Sequence, residues 1–189
     1  MDIVLDSTCL HDDHLLKSTA IGKLVIAAKE GGHNVYLPEV VVREVEKHYK
    51  ESLTTIQQTV QKSLKDFRRK AEESLENPIT ESLLKKKIKK HGKDLKLRIK
   101  DLEISILPLP SESHSLILDK VLGSQKPFHI SGKGYQDALI WATILEKAEE
   151  FSGNKLIASP RIIFVSNNLC LGSCPHEPAS DLKYITYMF

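Results

Sequence analysis

At 189 residues the chain carries enough material for one well-buried core, and two full domains would fit only tightly. Its side chains are 41% hydrophobic and 28% charged, which suits a soluble globular protein and excludes a disordered one. The net charge of +2, from 27 basic and 25 acidic residues, neither excludes nor demands a polyanionic partner, because phosphate responds to local field.

Ile3-Val4-Leu5 opens a short apolar run that Asp6 ends, too short for a globular helix and suited to a buried parallel strand. Leu15 to Glu30 reads as a helix, with Leu16, Ala20, Leu24 and Ala27 spaced at three and four and Gly31-Gly32 as its stop. Val35-Tyr36-Leu37 reads as a second strand, and Pro38 suits the first turn of the helix that follows. Leu53, Ile56, Val60, Leu64, Phe67, Ala71 and Leu75 then recur at helical spacing. After a break near Asn77-Pro78, so do Leu84, Ile88, Leu95, Ile99 and Leu102. Together they predict an antiparallel helical hairpin over about residues 50–106, inserted into or laid across an α/β core.

Pro108 and Pro110 mark a loop, and Ser115 to Leu122 a short helix. Gly132-Lys133-Gly134 leads into a helix over Asp137 to Phe151. Ile162-Ile163-Phe164-Val165 is the clearest strand and stops at Ser166-Asn167-Asn168; Tyr184 to Tyr187 reads as a last strand. Strands alternating with helices imply one α/β domain over residues 1–189, with a mostly parallel central sheet flanked by helices.

Three acids sit where this order makes them conspicuous. Asp6 follows a buried strand, Glu44 lies about two turns into the helix from Pro38, and Asp137 begins a helix. Binding sites of open α/β sheets form beyond the carboxyl ends of the strands, where Asp6 belongs. Carboxylate oxygens completed by water suit Mg2+ or Mn2+. Each acid also has a structural reading. Asp137 suits the positive end of a helix dipole, Glu44 can be one acid of a solvated face beside Glu39 and Glu46, and Asp6 can cap locally with Ser7 or Thr8.

The order and surroundings of these residues resemble the PIN-domain nuclease family. Ile3-Val4-Leu5-Asp6-Ser7-Thr8 resembles its opening strand and first aspartate, and Leu37-Pro38-Glu39-Val40-Val41-Val42-Arg43-Glu44 its second motif. Gly134-Tyr135-Gln136-Asp137-Ala138-Leu139-Ile140-Trp141 is the most specific match, with Asp137 at the third acidic position. Ile163-Phe164-Val165-Ser166-Asn167-Asn168 resembles the last motif. The enlarged helical middle is similar to a bacterial PIN-like branch.

The resemblance implies Mg2+- or Mn2+-dependent endonucleolytic hydrolysis of phosphodiesters, most often in RNA, with Asp6, Glu44 and Asp137 as metal ligands. Asn168 would join them in catalysis, and Ser166 and Asn167 would support them. The chain departs from the pattern twice. Thr8 stands where the first motif usually has Asn, and Leu169-Cys170-Leu171 runs where a further Asp is common. Asp181 could substitute only from farther along the chain. A catalytically degenerate module that binds nucleic acid or protein is the alternative.

The second arm of the hairpin has nine basic side chains and only Asp94 between Lys85 and Lys100. Lys86, Lys89, Lys93 and Lys100 are the expected phosphate contacts, to RNA first and DNA second, against the alternative of a solvated face. No aromatic side chains interleave them, which weighs against base stacking. An antitoxin-like protein or a second copy of the chain are further partner expectations.

No membrane span or secretory signal is expected, since Asp2 and Asp6 interrupt the only apolar run near the N-terminus. Three cysteines without framework spacing suit a reducing cytoplasm. Cys170, Cys174 and His176 lack a fourth ligand for zinc. His33, His48 and His91 join no nucleophile motif, and Trp141 reads as core.

Overall fold

The structure, a computed structural model, describes residues 1–73, 75–111, 134–152, 162–166 and 185–188, without the side chains of 148–152 and 185–188. Five strands form one sheet: β1 (Asp2–Leu5), β2 (Asn34–Pro38), β3 (Ser105–Leu107), β4 (Ile162–Val165) and β5 (Ile185–Met188). Their order is β3-β2-β1-β4-β5. The first four run parallel, and β5 lies antiparallel on the edge beside β4. The α/β class and the mostly parallel sheet are therefore as expected.

β1 occupies the centre, which explains its unbroken apolar reading. All four of its residues are buried, because helices cover both faces of a parallel sheet. Val4, Leu5, Leu37 and Val41 are essentially inaccessible, and each such side chain contributes roughly 1.5–3 kcal/mol by leaving water. Trp141 packs on β4, its ring 5.9 Å from that of Phe164.

Helix α1 (Thr19–Glu30) starts later than the apolar spacing from Leu15 suggests. The Asp13 carboxylate accepts from the backbone amides of Lys17 and Ser18 at 2.7 Å each, and the Ser18 hydroxyl then caps Ile21 N. Leu16, fully buried, turns at φ +54°. Side-chain capture of those amides competes with helix and holds residues 13–18 as a loop. The helix stops as expected at Gly31-Gly32, where Gly32 takes φ +68°, a conformation costly for a side chain with a Cβ.

The hairpin also differs from its expected bounds. Helix α2 (Glu39–Ala71) runs unbroken for 33 residues, about 50 Å, from Pro38 to the hairpin tip. Helix α3 (Glu81–Asp101) returns, capped by Thr80. The pair is antiparallel: Tyr49 stacks on His91 at 3.8 Å, while nearer the tip Gln57 donates to Ile79 O at 3.3 Å. Only Val40, Val41, Val42 and Val45 of α2 are buried, so its root belongs to the core and the remainder projects. Residues 105–106, read as the end of the hairpin, instead begin β3.

Helix α4 (Tyr135–Ser152) follows Gly134, which takes φ +110° and whose carbonyl accepts from Ala138 N at 2.9 Å. Glycine is the residue that tolerates this entry into the helix. The expected helix at Ser115–Leu122, the Gly132-Lys133 approach, Asn167, Asn168, the Cys170-Cys174-His176 group and Asp181 all lie outside the described residues. Among the described residues, no helix is long and apolar enough to cross a membrane.

Candidate carboxylate site

The β1–β4 register builds the site. Leu5 pairs with Val165, and Asp6 N donates to Val165 O at 2.9 Å, which sets Asp6 and Ser166 side by side just past the carboxyl ends of the two central strands. Both are buried, at 5% and 3% exposure. A carboxylate in such a place needs partners, and Asp6 has them. Its Oδ1 accepts from Ser7 N at 2.7 Å; its Oδ2 accepts from Thr8 Oγ1 and Ser166 Oγ, each at 2.7 Å. The two hydroxyls are themselves 3.1 Å apart.

The cap expected as a structural reading of Asp6 is thus present, since Asp6 caps the short 3-10 helix Ser7–Leu10. A cap does not exhaust the carboxylate. Two hydroxyls occupy Oδ2, while Oδ1 accepts from the Ser7 amide at 2.7 Å and, at 3.5 Å, from the Ser7 hydroxyl, a long contact that a cation could displace. Thr8, at the position where Asn was expected, holds the same carboxylate from the same turn. Its hold on Asp6 was legible as a local cap, but its link to Ser166 was not, because Ser166 lies 158 residues away.

Asp137 enters from the first turn of α4. Its surroundings partly exclude water, and this pushes its carboxyl above the ordinary aspartate value; the negative charge of Asp6 adds to the rise. Asp137 nevertheless presents an exposed surface, so this burial is a matter of surrounding protein mass rather than of full enclosure. The repulsion makes Asp6 and Asp137 electrostatic neighbours across 131 residues of chain.

Glu44 sits on α2, with its side chain only 13% exposed, 3.8 Å from His48 Nε2. The His48 ring lies 5.8 Å from that of His11, at the end of the 3-10 helix that Asp6 caps. Among the described residues, no three His, Cys, Asp or Glu side chains gather closely enough to hold a metal ion. Asp6 and Ser166 are thus in hydrogen-bond contact and Asp137 lies within electrostatic reach of Asp6, while Glu44 forms no metal-holding group with them among the described residues.

A pH effect follows from the Asp137 shift. Its folded-state pKa lies above the unfolded value, so the folded state binds more protons between the two. The metal-free protein should gain stability as pH falls through that window, and it should lose this contribution as pH rises above the folded value. Melting in chelator at a series of pH values should show the gain in wild type, reduced in Asp137→Asn. Equal pH profiles for the two proteins would contradict the raised pKa of Asp137.

Lys86, Lys89, Lys93 and Lys100 are all exposed. At 3.6 residues per turn they fall within about 60° of one another on α3. The opposite side buries Leu84, His91, Leu95 and Ile99. Residues 50–106 hold fifteen basic and nine acidic side chains, a local +6 that leaves −4 for the rest of the chain. The small net charge thus conceals a basic arm on an acidic body.

A mostly parallel sheet flanked by helices is an α/β fold of the nuclease-like kind. The PIN domain family model matches residues 3–170, and the chain belongs to the PIN domain family. No curated protein and no solved structure is significantly similar to it.

Proposed function

We propose that the protein is an endonuclease that hydrolyses phosphodiester bonds, in RNA before DNA, with Mg2+ or Mn2+ held at Asp6 and Asp137. The observation that carries this reading is that Asp6, buried at the carboxyl edge of a PIN-domain sheet, lies close enough to Asp137 for its charge to act on it. An all-oxygen donor set fits a hard divalent cation, and partial burial first, with the Asp6 charge added, raises the Asp137 pKa as it would in a carboxylate pair lacking its cation. When bound, such a cation supplies charge compensation at phosphorus and a more acidic water.

The residues of the chain do the positioning. Ser7 N, Thr8 and Ser166 fix the Asp6 carboxylate in one orientation. Asp137 brings the second negative charge from a separate element. Glu44, from α2, completes the acidic floor through water or after a side-chain shift, and Asn168 and Asn167, which follow Ser166 in the sequence, would serve catalysis and support it. The lysines of α3 supply sequence-independent affinity for phosphate. We read residues 1–189 as one domain that acts in the cytoplasm.

The absence of a three-donor group among the described residues favours a second reading, a catalytically degenerate module that binds nucleic acid or protein. Melting with and without Mn2+ separates the two. Wild type should melt higher with Mn2+, and Asp6→Asn should gain much less. No shift in either protein would favour the binding module.

A further inference from the structure

Four histidines, of which only His48 touches a residue of the carboxylate site, Glu44, meet where the basic arm joins the body. His11 and His14 lie in the segment after the 3-10 helix, His48 on α2 and His91 on α3. The His91 ring is 4% exposed and stacks on Tyr49, with centroids 3.8 Å apart and planes within 11°. Its Nε2 donates to the His14 carbonyl at 2.8 Å. Seven residues on, Arg98 Nε donates to Leu16 O at 3.2 Å. Helix α3 is thereby fastened to two carbonyls of one loop, and that loop is itself fixed by Asp13.

The His14 ring completes the joint. It sits edge-on to Tyr49 at 5.7 Å and to His91 at 6.4 Å. Its Nδ1 is buried without a hydrogen-bond partner among the described residues. A neutral ring leaves a bare nitrogen there; protonation would place an N–H with no acceptor, a more costly arrangement. We propose that His14, packed against His91 and Tyr49, is a proton-controlled latch that seats the basic arm on the body while neutral and loosens it when charged.

Most of the groups facing His14 act in one direction. Burial lowers its pKa first, and positive charge on His91, His11 and His48 lowers it further. Asp12 alone opposes them. Tyr49 from α2 packs its ring at 73° to that of His14. A histidine with a folded pKa below its unfolded value contributes no penalty above the unfolded value, about 6.5. As pH falls below that value the unlatched state binds the extra proton, and the latch weakens. Gly92 and Glu46 allow the close approach of the two helices at this level, since a Cβ at Gly92 would come within 3.1 Å of Glu46 Oε1. The latch is independent of the nuclease reading, because it concerns only how the arm is held.

Amide hydrogen exchange of the full chain from about pH 8 to about pH 5.5, corrected for intrinsic rates, tests it. Protection of α3 amides should fall on acidification, by at most about tenfold per pH unit for one proton, while β1 and β2 amides keep theirs. His14→Gln should keep α3 protection level over the same range. Level protection in wild type, or an equal fall in wild type and His14→Gln, overturns the proposal. Titration of the His14 ring by NMR in wild type gives a second reading that needs no variant: a midpoint below the ordinary histidine value supports the latch, and one at or above it overturns the latch.

Discussion

Asp137→Asn is expected to lower cleavage by orders of magnitude while leaving the metal-free protein at least as stable as wild type, apart from a small helix-dipole loss of about 0.3–1 kcal/mol. The two effects have one origin. Asp137 carries a carboxyl destabilised by its surroundings and by Asp6, so removing its charge relieves the folded state. The same charge is half of the donor pair that would hold a divalent cation. With Mn2+ the order should reverse, wild type gaining melting temperature and the variant gaining less. Asn keeps the size of the side chain, and the first turn of α4 remains entered through Gly134, so the fold should be unaffected. Assays of melting in chelator and in Mn2+, run beside cleavage, check all three expectations. A variant that is both inactive and destabilised without metal would show that Asp137 is structural.

The second large effect concerns the arm. Changing Lys86, Lys89, Lys93 and Lys100 together to Gln should weaken RNA binding strongly at low salt and flatten its salt dependence. Each neutralised phosphate adds about 0.7 to the slope of log affinity against log salt for single strands and about 0.9 for duplex, so removing these lysine charges should reduce the slope by about 3. All four side chains are exposed on the face of α3 away from its buried residues, and the fold should survive. The arm carries +6 against −4 elsewhere, so these are the charges a polyanion would meet first. An unchanged slope across the titration would show that the lysines serve solubility alone.

What the sequence disclosed and what it hid follow from the range of the interactions concerned. Ile3-Val4-Leu5 and Ile162-Ile163-Phe164-Val165 announced the central strands because a strand covered on both faces must be apolar throughout. Asp6 and Asp137 were conspicuous at element ends, and the structure makes them neighbours. β3 was missed because it is three residues long, with Ser105 and Ile106 exposed at the sheet edge. The start of α1 was misplaced because the capture of backbone amides by Asp13 outweighed helical spacing. Nothing local in the sequence linked Thr8 to Ser166, or His14 to His91 across 77 residues; both pairings are products of topology.

The most direct measurement is cleavage of a mixed RNA pool by purified wild type and by Asp6→Asn/Asp137→Asn, each in Mn2+ and in chelator. Cleavage should appear only for wild type with Mn2+ and should stop when chelator is added. Equal cleavage by both proteins, or intact RNA together with no Mn2+-induced rise in the melting temperature of wild type, would contradict a metal-dependent nuclease built on Asp6 and Asp137.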